Sequence, residues 1–174
     1  MSKNSVETMK SDELKVLDIL GQHAKENIDT LAKRCGFSRQ KMWRIIKRLE
    51  KEKIIWGYSA ITDGEANECK HFVLLVKRSM VSLDNSAKKE GSIETLDECI
   101  PGIMKIENIL LVHGGYDYIL TFYASDIIGA KKFVQEISSR FGKYIDNYLL
   151  LETLFPIRKQ GIKNPQINNL VEYL

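Results

Sequence analysis

The sequence predicts an α+β protein in which three helices precede a four-stranded antiparallel sheet that carries two further helices. Two observations predict this class. Apolar residues recur at helical spacing in the first third of the chain, and the remainder alternates apolar runs of strand length with two more helical patterns. The 174 residues are 44% hydrophobic and 28% charged, which suits a globular protein with room for two small domains.

Composition also limits the class of protein. No run of about 18 apolar residues occurs, so we expect no membrane-spanning helix. The first residues, MSKNSVETMKSDELK, lack an apolar stretch, so we expect no secretory signal and a cytoplasmic protein. The three cysteines, Cys35, Cys69 and Cys99, are odd in number and widely spaced, which argues against a disulfide framework.

The first helix is predicted over residues 12–24. Asp12 and Glu13 favour a helix start there, because carboxylates are stabilised near the positive end of the helix dipole. Apolar residues follow at helical spacing, so one face of the helix is expected to pack inward. These residues are Leu14, Leu17, Ile19, Leu20 and Ala24.

Two further helices follow, with a tight turn between them. Asn27 is a good N-cap for a helix over 28–35, and Gly36 ends that helix because glycine readily adopts a positive φ. Ser38 caps the next helix, over 39–52. The spacing predicts a helix-turn-helix with a small shared core. That core comprises Leu31, Ala32, Cys35, Phe37, Met42 and Ile45.

The third helix separates apolar from basic residues. Wound at about 100° per residue, it places Met42, Ile45, Ile46 and Leu49 on one stripe and basic residues opposite. Residues 33–53 hold nine basic and two acidic residues, and the net charge is +4 over 1–64 against −1 over 65–174. Such a concentration of positive charge is typical of a protein that binds a polyanion, although a solvated helix face is the simpler alternative.

A basic helix in this motif suits the major groove of double-stranded DNA, where long donors reach phosphates and base edges. The beginning of the helix is best placed for the bases, with Ser38, Arg39, Gln40, Lys41 and Arg44. The end is better placed for the phosphates, with Lys47, Arg48 and Lys51. Arg39 and Trp43 lie on the flank of this basic face. The sequence therefore predicts a recognition helix.

Residues 53–63, KIIWGYSAITD, favour a strand, since β-branched and aromatic residues dominate them. A strand directly after a recognition helix is typical of a wing and would complete a winged helix-turn-helix domain over residues 1–63. We interpret Trp56 as a cover for the core, with a phosphate contact as the alternative. The polar segment 64–70 is predicted to be a linker.

Residues 71–158 are predicted to form a second domain with strands over 71–79, 103–113, 117–124 and 145–155. One helix is expected over 93–100, between Ser92 and Pro101-Gly102. Another is expected after Ser125, with inward residues Ala130, Phe133, Val134, Ile137 and Phe141. The order βαββαβ is that of a ferredoxin-like sandwich.

The predicted sheet needs a cover on both faces. Two helices on one face leave the other exposed, yet runs such as 72–76 and 149–151 are apolar at consecutive positions. A homodimer that packs sheet on sheet satisfies this pattern. The C-terminal tail, residues 159–174, is predicted to hold a short amphipathic helix built on Ile167, Leu170, Val171 and Leu174.

Three segments carry a resemblance to a known family. They are DELKVLDIL near the start, LAKRCGFSRQKMWRIIKRLEKEKIIWGYSA in the helix-turn-helix, and VHGGYDYILTFYA in the second half. Over residues 10–158 the chain resembles the Lrp/AsnC (feast/famine) family of transcription regulators. The first two segments are typical of winged helix-turn-helix proteins in general. The Gly-Gly-Tyr-Asp-Tyr hairpin after the Pro-Gly-Ile turn is more specific for the family.

The resemblance implies a second domain that binds an amino-acid effector and dimerises through its sheet, with dimers assembling further to tetramers or octamers. It also implies that the effector lies between dimers, near the hairpin. The matching positions are Leu111, Gly114, Gly115, Tyr116, Asp117, Tyr148, Leu149 and Leu150. The residues themselves leave two alternatives open: the glycines permit close approach of a ligand, or the segment is ordinary hairpin chemistry. In the first alternative Asp117 would pair with the α-ammonium group of the ligand, and in the second it would order the turn.

The sequence departs from the family at several positions. Gly115 replaces a residue that is commonly acidic, which bears on whether and which amino acid is bound. Lys53 replaces the common glycine before the wing, and Asn147 stands where a threonine is frequent. The tail is also longer than usual.

The alternative from a different class is an enzyme of the same two-domain build that modifies tetrapyrroles with histidines. Among the three histidines, His113 beside the hairpin is the candidate. Cys69-Lys-His71 is too short a pattern for a metal site, and the sequence lacks G-x-S-x-G, H-E-x-x-H and a phosphate-binding glycine loop. We therefore predict a regulator that binds pseudo-palindromic DNA as a dimer or higher oligomer. No catalytic residue, metal or cofactor is expected.

Overall fold

The computed structural model describes residues 3–62, 68–80 and 103–174, apart from the side chains of residues 3–8. The chain divides into two compact units. The first comprises Met1–Ile61 with Ile157–Glu172, and the second comprises Thr62–Pro156 with Tyr173–Leu174. None of the helices in the described ranges combines the length and the apolar character that crossing a bilayer requires.

Three helices form the core of the first unit: α1 (Lys3–His23), α2 (Ile28–Cys35) and α3 (Arg39–Lys51). The caps around α2 are those that the sequence predicts. Asn27 Oδ1 accepts a hydrogen bond from the backbone N–H of Thr30 at 2.9 Å, and Gly36 ends the helix with a φ of 69°. Because glycine has no Cβ, this left-handed conformation carries little steric cost.

The predicted start of α1 is wrong, because the helix begins at Lys3 and not at Asp12. Asp12 and Glu13 therefore lie within the helix, away from its positive end. The buried stripe also differs from the prediction: Val16 and Leu20 are buried, whereas Leu14 is 67% exposed. Leu17, Ile19 and Leu20 pack on the core as predicted, whereas Leu14 and Ala24 are exposed, so the periodicity identified the helix and most of its inward face but missed Val16.

The helix-turn-helix core is close to the prediction. Its buried members are Val16, Leu20, Leu31, Ala32, Cys35, Met42, Ile45 and Leu49, and Phe37 packs against them while partly exposed. Cys35 Sγ lies 4.0 Å from the backbone oxygen of Lys15. Burial raises the pKa of the Cys35 thiol, which keeps it protonated and unreactive at neutral pH.

The segment after α3 is not the predicted strand. Residues 54–62 are bend and coil, and Trp56 is 94% exposed, so the interpretation of Trp56 as a cover for the core is wrong. An extended segment gains stability only when it pairs with another strand. Lys53 adopts a φ of 59°, a left-handed conformation that favours glycine.

The second unit contains an antiparallel sheet of β1 (Lys70–Arg78), β2 (Lys105–Leu111), β3 (Tyr118–Ala124) and β4 (Ile145–Glu152). The strand order across the sheet is β2-β3-β1-β4. All four predicted strands are present, with ends that differ by up to three residues. The predicted helix over 93–100, with Ser92 and Pro101-Gly102, lies outside the described residues.

Helix α4 (Ile127–Phe141) covers one face of this sheet. Its five predicted inward residues, Ala130, Phe133, Val134, Ile137 and Phe141, are all buried. They pack on Phe72, Leu74, Val76, Leu120, Phe122 and Ala124 of the two central strands. The N-cap is Asp126, whose Oδ1 accepts a hydrogen bond from the N–H of Gly129 at 2.7 Å, so the predicted cap Ser125 is wrong.

After β4 the chain forms a two-residue ladder, β5 (Arg158–Lys159) with β6 (Ile162–Lys163), and a 3₁₀ helix over Ile167–Tyr173. The predicted amphipathic tail helix is thus a 3₁₀ helix with none of its residues buried. Val171 and Leu174 are 78% and 98% exposed.

Candidate nucleic-acid interface and effector hairpin

The candidate recognition helix α3 begins where the sequence predicts. Ser38 Oγ accepts a hydrogen bond from the backbone N–H of Lys41 at 3.2 Å, which satisfies one of the donors left free in the first turn. Met42, Ile45 and Leu49 anchor the opposite side of the helix in the core. This packing fixes which side chains α3 presents outward.

The outward side of α3 is exposed in the structure. Six of the eight residues predicted to contact DNA are exposed, and Lys41 and Arg48 are half-buried. The exposed six are Ser38, Arg39, Gln40, Arg44, Lys47 and Lys51. An open groove at the beginning of the helix is lined by Ser38, Arg39, Gln40, Lys41, Trp43 and Arg44. The simpler alternative, a solvated face, has the same geometry, so exposure alone does not decide between them.

The two half-buried cations are engaged by carboxylates of α1. Lys41 Nζ lies 2.7 Å from Asp12 Oδ2, and the Arg48 guanidinium forms an ion pair with Glu13. Arg48 Nη1 also lies 4.0 Å from the sulfur of Met9, while its Nε is buried without a hydrogen-bond partner in the described part of the chain. These two cations therefore brace α3 against α1.

Weaker pairs occupy the other flank. Arg39 Nη1 lies 3.5 Å from Asp29 Oδ2, and both side chains are more than half exposed, so this pair contributes little. Lys47 donates a 2.8 Å hydrogen bond to Glu50, which lowers the pKa of that carboxyl. Glu50 also accepts a hydrogen bond from the hydroxyl of Tyr58 at 3.2 Å.

Two cations on the outward side of α3 are not paired with a carboxylate in the described part of the chain. Within the described ranges, Arg44 and Lys51 have no carboxylate within ion-pair distance. Together with Gln40 they form a stripe along the middle of the exposed side of α3. The structure thus distinguishes among cations that the helical wheel treated as equivalent.

The candidate effector hairpin joins β2 to β3. The backbone N–H of Val112 donates to the oxygen of Asp117 at 2.8 Å, which closes the turn. Gly114 and Gly115 are exposed, and a Cβ added at either would meet no atom within 4 Å. The glycines are therefore not required by close packing within this chain.

Asp117 orders the hairpin in this structure, which is one of the two roles that the sequence left open. Its Oδ2 accepts a hydrogen bond from the backbone N–H of Arg78 at 2.8 Å, and its own N–H donates to the oxygen of Val76 at 2.9 Å. Lys77 Nζ donates to the oxygen of Gly115 at 3.3 Å. The hairpin is thereby attached to the end of β1.

Tyr116 lies in the hairpin turn and is half-buried, while the remaining predicted effector residues lie on the two outer strands of the sheet. Leu111 pairs with Tyr118, Tyr118 with Val76, and Val76 with Tyr148, so the four form one row across all the strands. Leu111 and Tyr148 are consequently about three strand spacings, roughly 14 Å, apart. Successive residues of a strand face opposite sides, so Leu149 faces away from Tyr148 and Leu150. The eight residues do not form one pocket within a single chain.

Comparison with known proteins adds an independent observation. A family model described as winged helix-turn-helix DNA-binding matches residues 13–55, the stretch from the middle of α1 to four residues beyond α3. The chain is 25% identical over 147 residues to the uncharacterized HTH-type transcriptional regulator YugG of Bacillus subtilis, which covers 84% of each chain. It is 28% identical over 133 residues to the leucine-responsive regulatory protein of Haemophilus influenzae, which covers 76% of each.

The fold extends this likeness over both units. The feast or famine regulatory protein of M. tuberculosis, solved in complex with L-methionine, matches with a TM-score of 0.65 at 18% identity. The match covers 86% of this chain and 94% of that one. The comparisons support the Lrp/AsnC resemblance of the sequence: the chain is similar over most of its length to proteins named as transcriptional or leucine-responsive regulators, and it shares the fold of an AsnC-family structure. The predicted fold class, a winged helix-turn-helix followed by a ferredoxin-like domain, is confirmed by the same comparisons.

The alternative of a tetrapyrrole-modifying enzyme has no support among these comparisons. The two relatives are named as a transcriptional regulator and a leucine-responsive regulatory protein. His113 is exposed at the start of the hairpin, and the described residues contain no group of His, Cys, Asp and Glu side chains arranged to hold a metal ion.

The sequence analysis missed several side chains that surround the candidate recognition helix α3. It assigned Asp12 and Glu13 to a helix start, whereas they hold Lys41 and Arg48. It left Trp43 on the flank without a role, although this side chain lines the groove. A signal was present for Trp43, since a large apolar residue stood outside the apolar stripe. None was present for the two carboxylates, because their partners lie far away in the sequence.

Proposed function

We propose that this Lrp/AsnC regulator binds pseudo-palindromic duplex DNA as a dimer, with α3 of each protomer in successive major grooves. The observation that carries this proposal is the exposed stripe of Gln40, Arg44 and Lys51, opposite the buried residues Met42, Ile45 and Leu49. Long donors on a rigid helix match the phosphates and base edges of a major groove. The two helices would lie roughly 34–36 Å apart.

The eight predicted residues take different roles in this proposal. Ser38, Arg39, Gln40 and Arg44 lie toward the bases, and Lys47 and Lys51 toward the phosphates. Lys41 and Arg48 contribute less to DNA, because Asp12 and Glu13 already neutralise part of their charge. A regulator of this kind works on the chromosome, so we place it in the cytoplasm.

Selection of bound duplexes from a random pool tests the proposal. We expect enrichment of a two-fold-symmetric site. On that site, Arg44→Ala should cost roughly 1–3 kcal/mol of binding free energy, mainly on the correct sequence. Lys131→Ala is the matched control, since it removes one exposed cation from α4 of the second unit. Equal losses for both variants, or no enriched sequence, would contradict the proposal.

We infer that dimers form through the sheet face opposite α4. In register, Leu110, Ile119, Leu75 and Leu149 form one apolar row, and Val73 and Leu151 lie beside it. Leu110, Leu149 and Leu151 are 48%, 42% and 44% exposed. Such a continuous apolar surface is typical of an obligate interface. Sedimentation of Leu149→Lys should show monomers, whereas Leu14→Lys, at an exposed leucine of α1, should leave dimers intact.

The effector is proposed to be an amino acid that binds at the hairpin between protomers. The L-methionine complex of the mycobacterial relative supports the chemical class. The separation of Leu111 from Tyr148–Leu150 supports a site shared by more than one chain, since a small ligand does not span three strands. Further assembly to tetramers or octamers would create such a site.

Gly114→Ala tests the effector site without disturbing the fold. Since an added Cβ meets no atom within 4 Å in the chain itself, the free energy of unfolding should change by less than about 0.5 kcal/mol. Calorimetric titration with each of the standard amino acids should then show binding by the wild type and a loss by the variant. Equal binding by both proteins would contradict the location of the effector site at the hairpin.

A further inference from the structure

Trp43 is a large apolar side chain on the flank of the basic face of α3. It is 56% exposed, while its neighbour Met42 is fully buried. Among the described residues, the Trp43 ring makes no ring–ring or cation–ring contact. Leaving this much apolar surface in water forgoes stabilisation of about 25 cal/mol for each Å². Single exposed apolar side chains are common, so the ring is open to a contact outside the chain and its neighbours indicate which one.

The position of Trp43 favours DNA as that contact. Trp43 lines the groove at the beginning of α3 together with Gln40, Lys41 and Arg44. Residues three and four apart on a helix are surface neighbours, so Gln40 and Arg39 flank the ring. The beginning of a recognition helix is the part that approaches base edges. The ring therefore stands among the side chains proposed to contact the bases.

The apolar character of the indole ring indicates which group of the DNA it would contact. Phosphates and the polar base edges suit Arg44 and Gln40, whereas an indole ring offers an apolar face. The apolar group in the major groove is the C5-methyl of thymine. We propose that Trp43 packs against a thymine methyl and so requires an A·T pair at one position of each half-site. This inference rests on the proposed function and adds a specificity-determining residue to it.

Deoxyuridine substitution measures the contact directly, because uracil differs from thymine only by that methyl. The probe is the duplex enriched from the random pool, resynthesised with deoxyuridine at one thymine position at a time. Burial of one methyl is worth about 0.8 kcal/mol, which corresponds to about a fourfold loss of affinity per half-site. We expect this loss at one thymine in each half-site and little change elsewhere.

The variants separate a direct contact from a structural effect. Trp43→Ala and Trp43→Gln should bind more weakly and should no longer distinguish thymine from uracil at that position. Trp56→Ala is the matched control, since it removes the other exposed tryptophan and should keep the distinction. Circular dichroism shows whether each variant is folded, and the glutamine variant keeps a longer side chain at this position with only a small loss of helix propensity.

Two results would overturn the inference alone: a wild type indifferent to uracil at every position, or a Trp43→Gln variant that keeps the fourfold distinction. In either case the enriched symmetric site would still stand, and with it the proposed function. Failure to enrich any duplex would overturn both.

Discussion

The Arg48–Glu13 pair offers the sharpest test of the division between bracing cations and DNA-binding cations. Both residues are more buried than an ordinary surface pair, with side-chain exposures of 31% and 20%. The pair joins α3 to α1, which are two of the three helices in the first unit. Arg48→Ala removes this link, whereas Arg44→Ala removes a cation with no carboxylate within ion-pair distance in the described ranges.

The magnitude follows from the burial of the pair. Exposed ion pairs contribute at most about 1 kcal/mol, and breaking a fully buried pair costs about 3–5 kcal/mol. This pair lies between the two classes but nearer the surface. Removal of Arg48 also relieves the buried Nε that lacks a partner. We therefore expect Arg48→Ala to lower the free energy of unfolding of the first unit by about 1–2 kcal/mol, and Arg44→Ala by less than about 0.5 kcal/mol.

A double-mutant cycle on the full chain measures the pair. Hydrogen exchange of the α3 amides reports the opening free energy for Arg48→Ala, Glu13→Ala and the double variant. The coupling should be about 0.5–1.5 kcal/mol. The control is the exposed Arg140–Glu136 pair of α4, at 2.7 Å, where about 0.3–0.5 kcal/mol is expected. A coupling near zero, with Arg48→Ala weakening DNA binding as much as Arg44→Ala, would refute the reasoning.

Three further predictions concern the backbone, the core and pH. Lys53→Gly should raise the free energy of unfolding by about 0.5–1 kcal/mol, because Lys53 adopts a left-handed φ of 59° that glycine accepts at little cost. A lower stability of the variant in calorimetry would contradict this reasoning. The ring of Phe133 is fully buried, and its centroid lies 4.5 Å from that of Phe122. Phe133→Ala should therefore lower the free energy of unfolding, measured by chemical denaturation, by about 3–5 kcal/mol. The control Lys132→Ala, at an exposed side chain, should lower it by less than about 0.5 kcal/mol. Arg34 donates two 2.7 Å hydrogen bonds to Glu26 and lowers the pKa of that carboxyl. The stabilisation is therefore present above the ordinary glutamate pKa of about 4.3 and is lost as pH falls through the lowered value. The stability difference between wild type and Glu26→Gln should shrink over that range, and a pH-independent difference would count against the pair.

Local signals in the sequence were sufficient for the helix-turn-helix. Asn27, Gly36 and Ser38 each act through backbone groups within four residues, so the caps were correctly predicted from neighbours alone. The inward side of α4 was predicted in full for the same reason, since its apolar spacing is regular. The cap of α4 was placed one residue early because Ser125 and Asp126 are both good caps, and sequence does not separate adjacent candidates.

The failures concern partners that are distant in the sequence. Residues 53–63 have the composition of a strand, yet propensity does not supply a strand to pair with, and none forms over 53–62. Asp12 and Glu13 have the composition of a helix start, but the fold brings them next to Lys41 and Arg48 of α3, which the sequence does not show. The effector residues looked like one site because two short stretches contain them, but the order β2-β3-β1-β4 puts those stretches on opposite edges of the sheet.

The ion pairs of α3 also set the salt dependence expected for DNA binding. If all six cations on the helix contacted phosphates, a dimer would neutralise about 12 and the logarithm of affinity would fall with the logarithm of salt at a slope of roughly −11. If only the four cations that α1 does not hold did so, namely Arg39, Arg44, Lys47 and Lys51, a dimer would neutralise about eight phosphates and the slope from α3 would be roughly −7. We expect the smaller value, because freeing Lys41 and Arg48 for DNA would leave Asp12 and Glu13 unpaired beside the phosphates. A slope near −11 would mean that DNA displaces these carboxylates, and Asp12→Asn would then leave the slope unchanged while raising affinity.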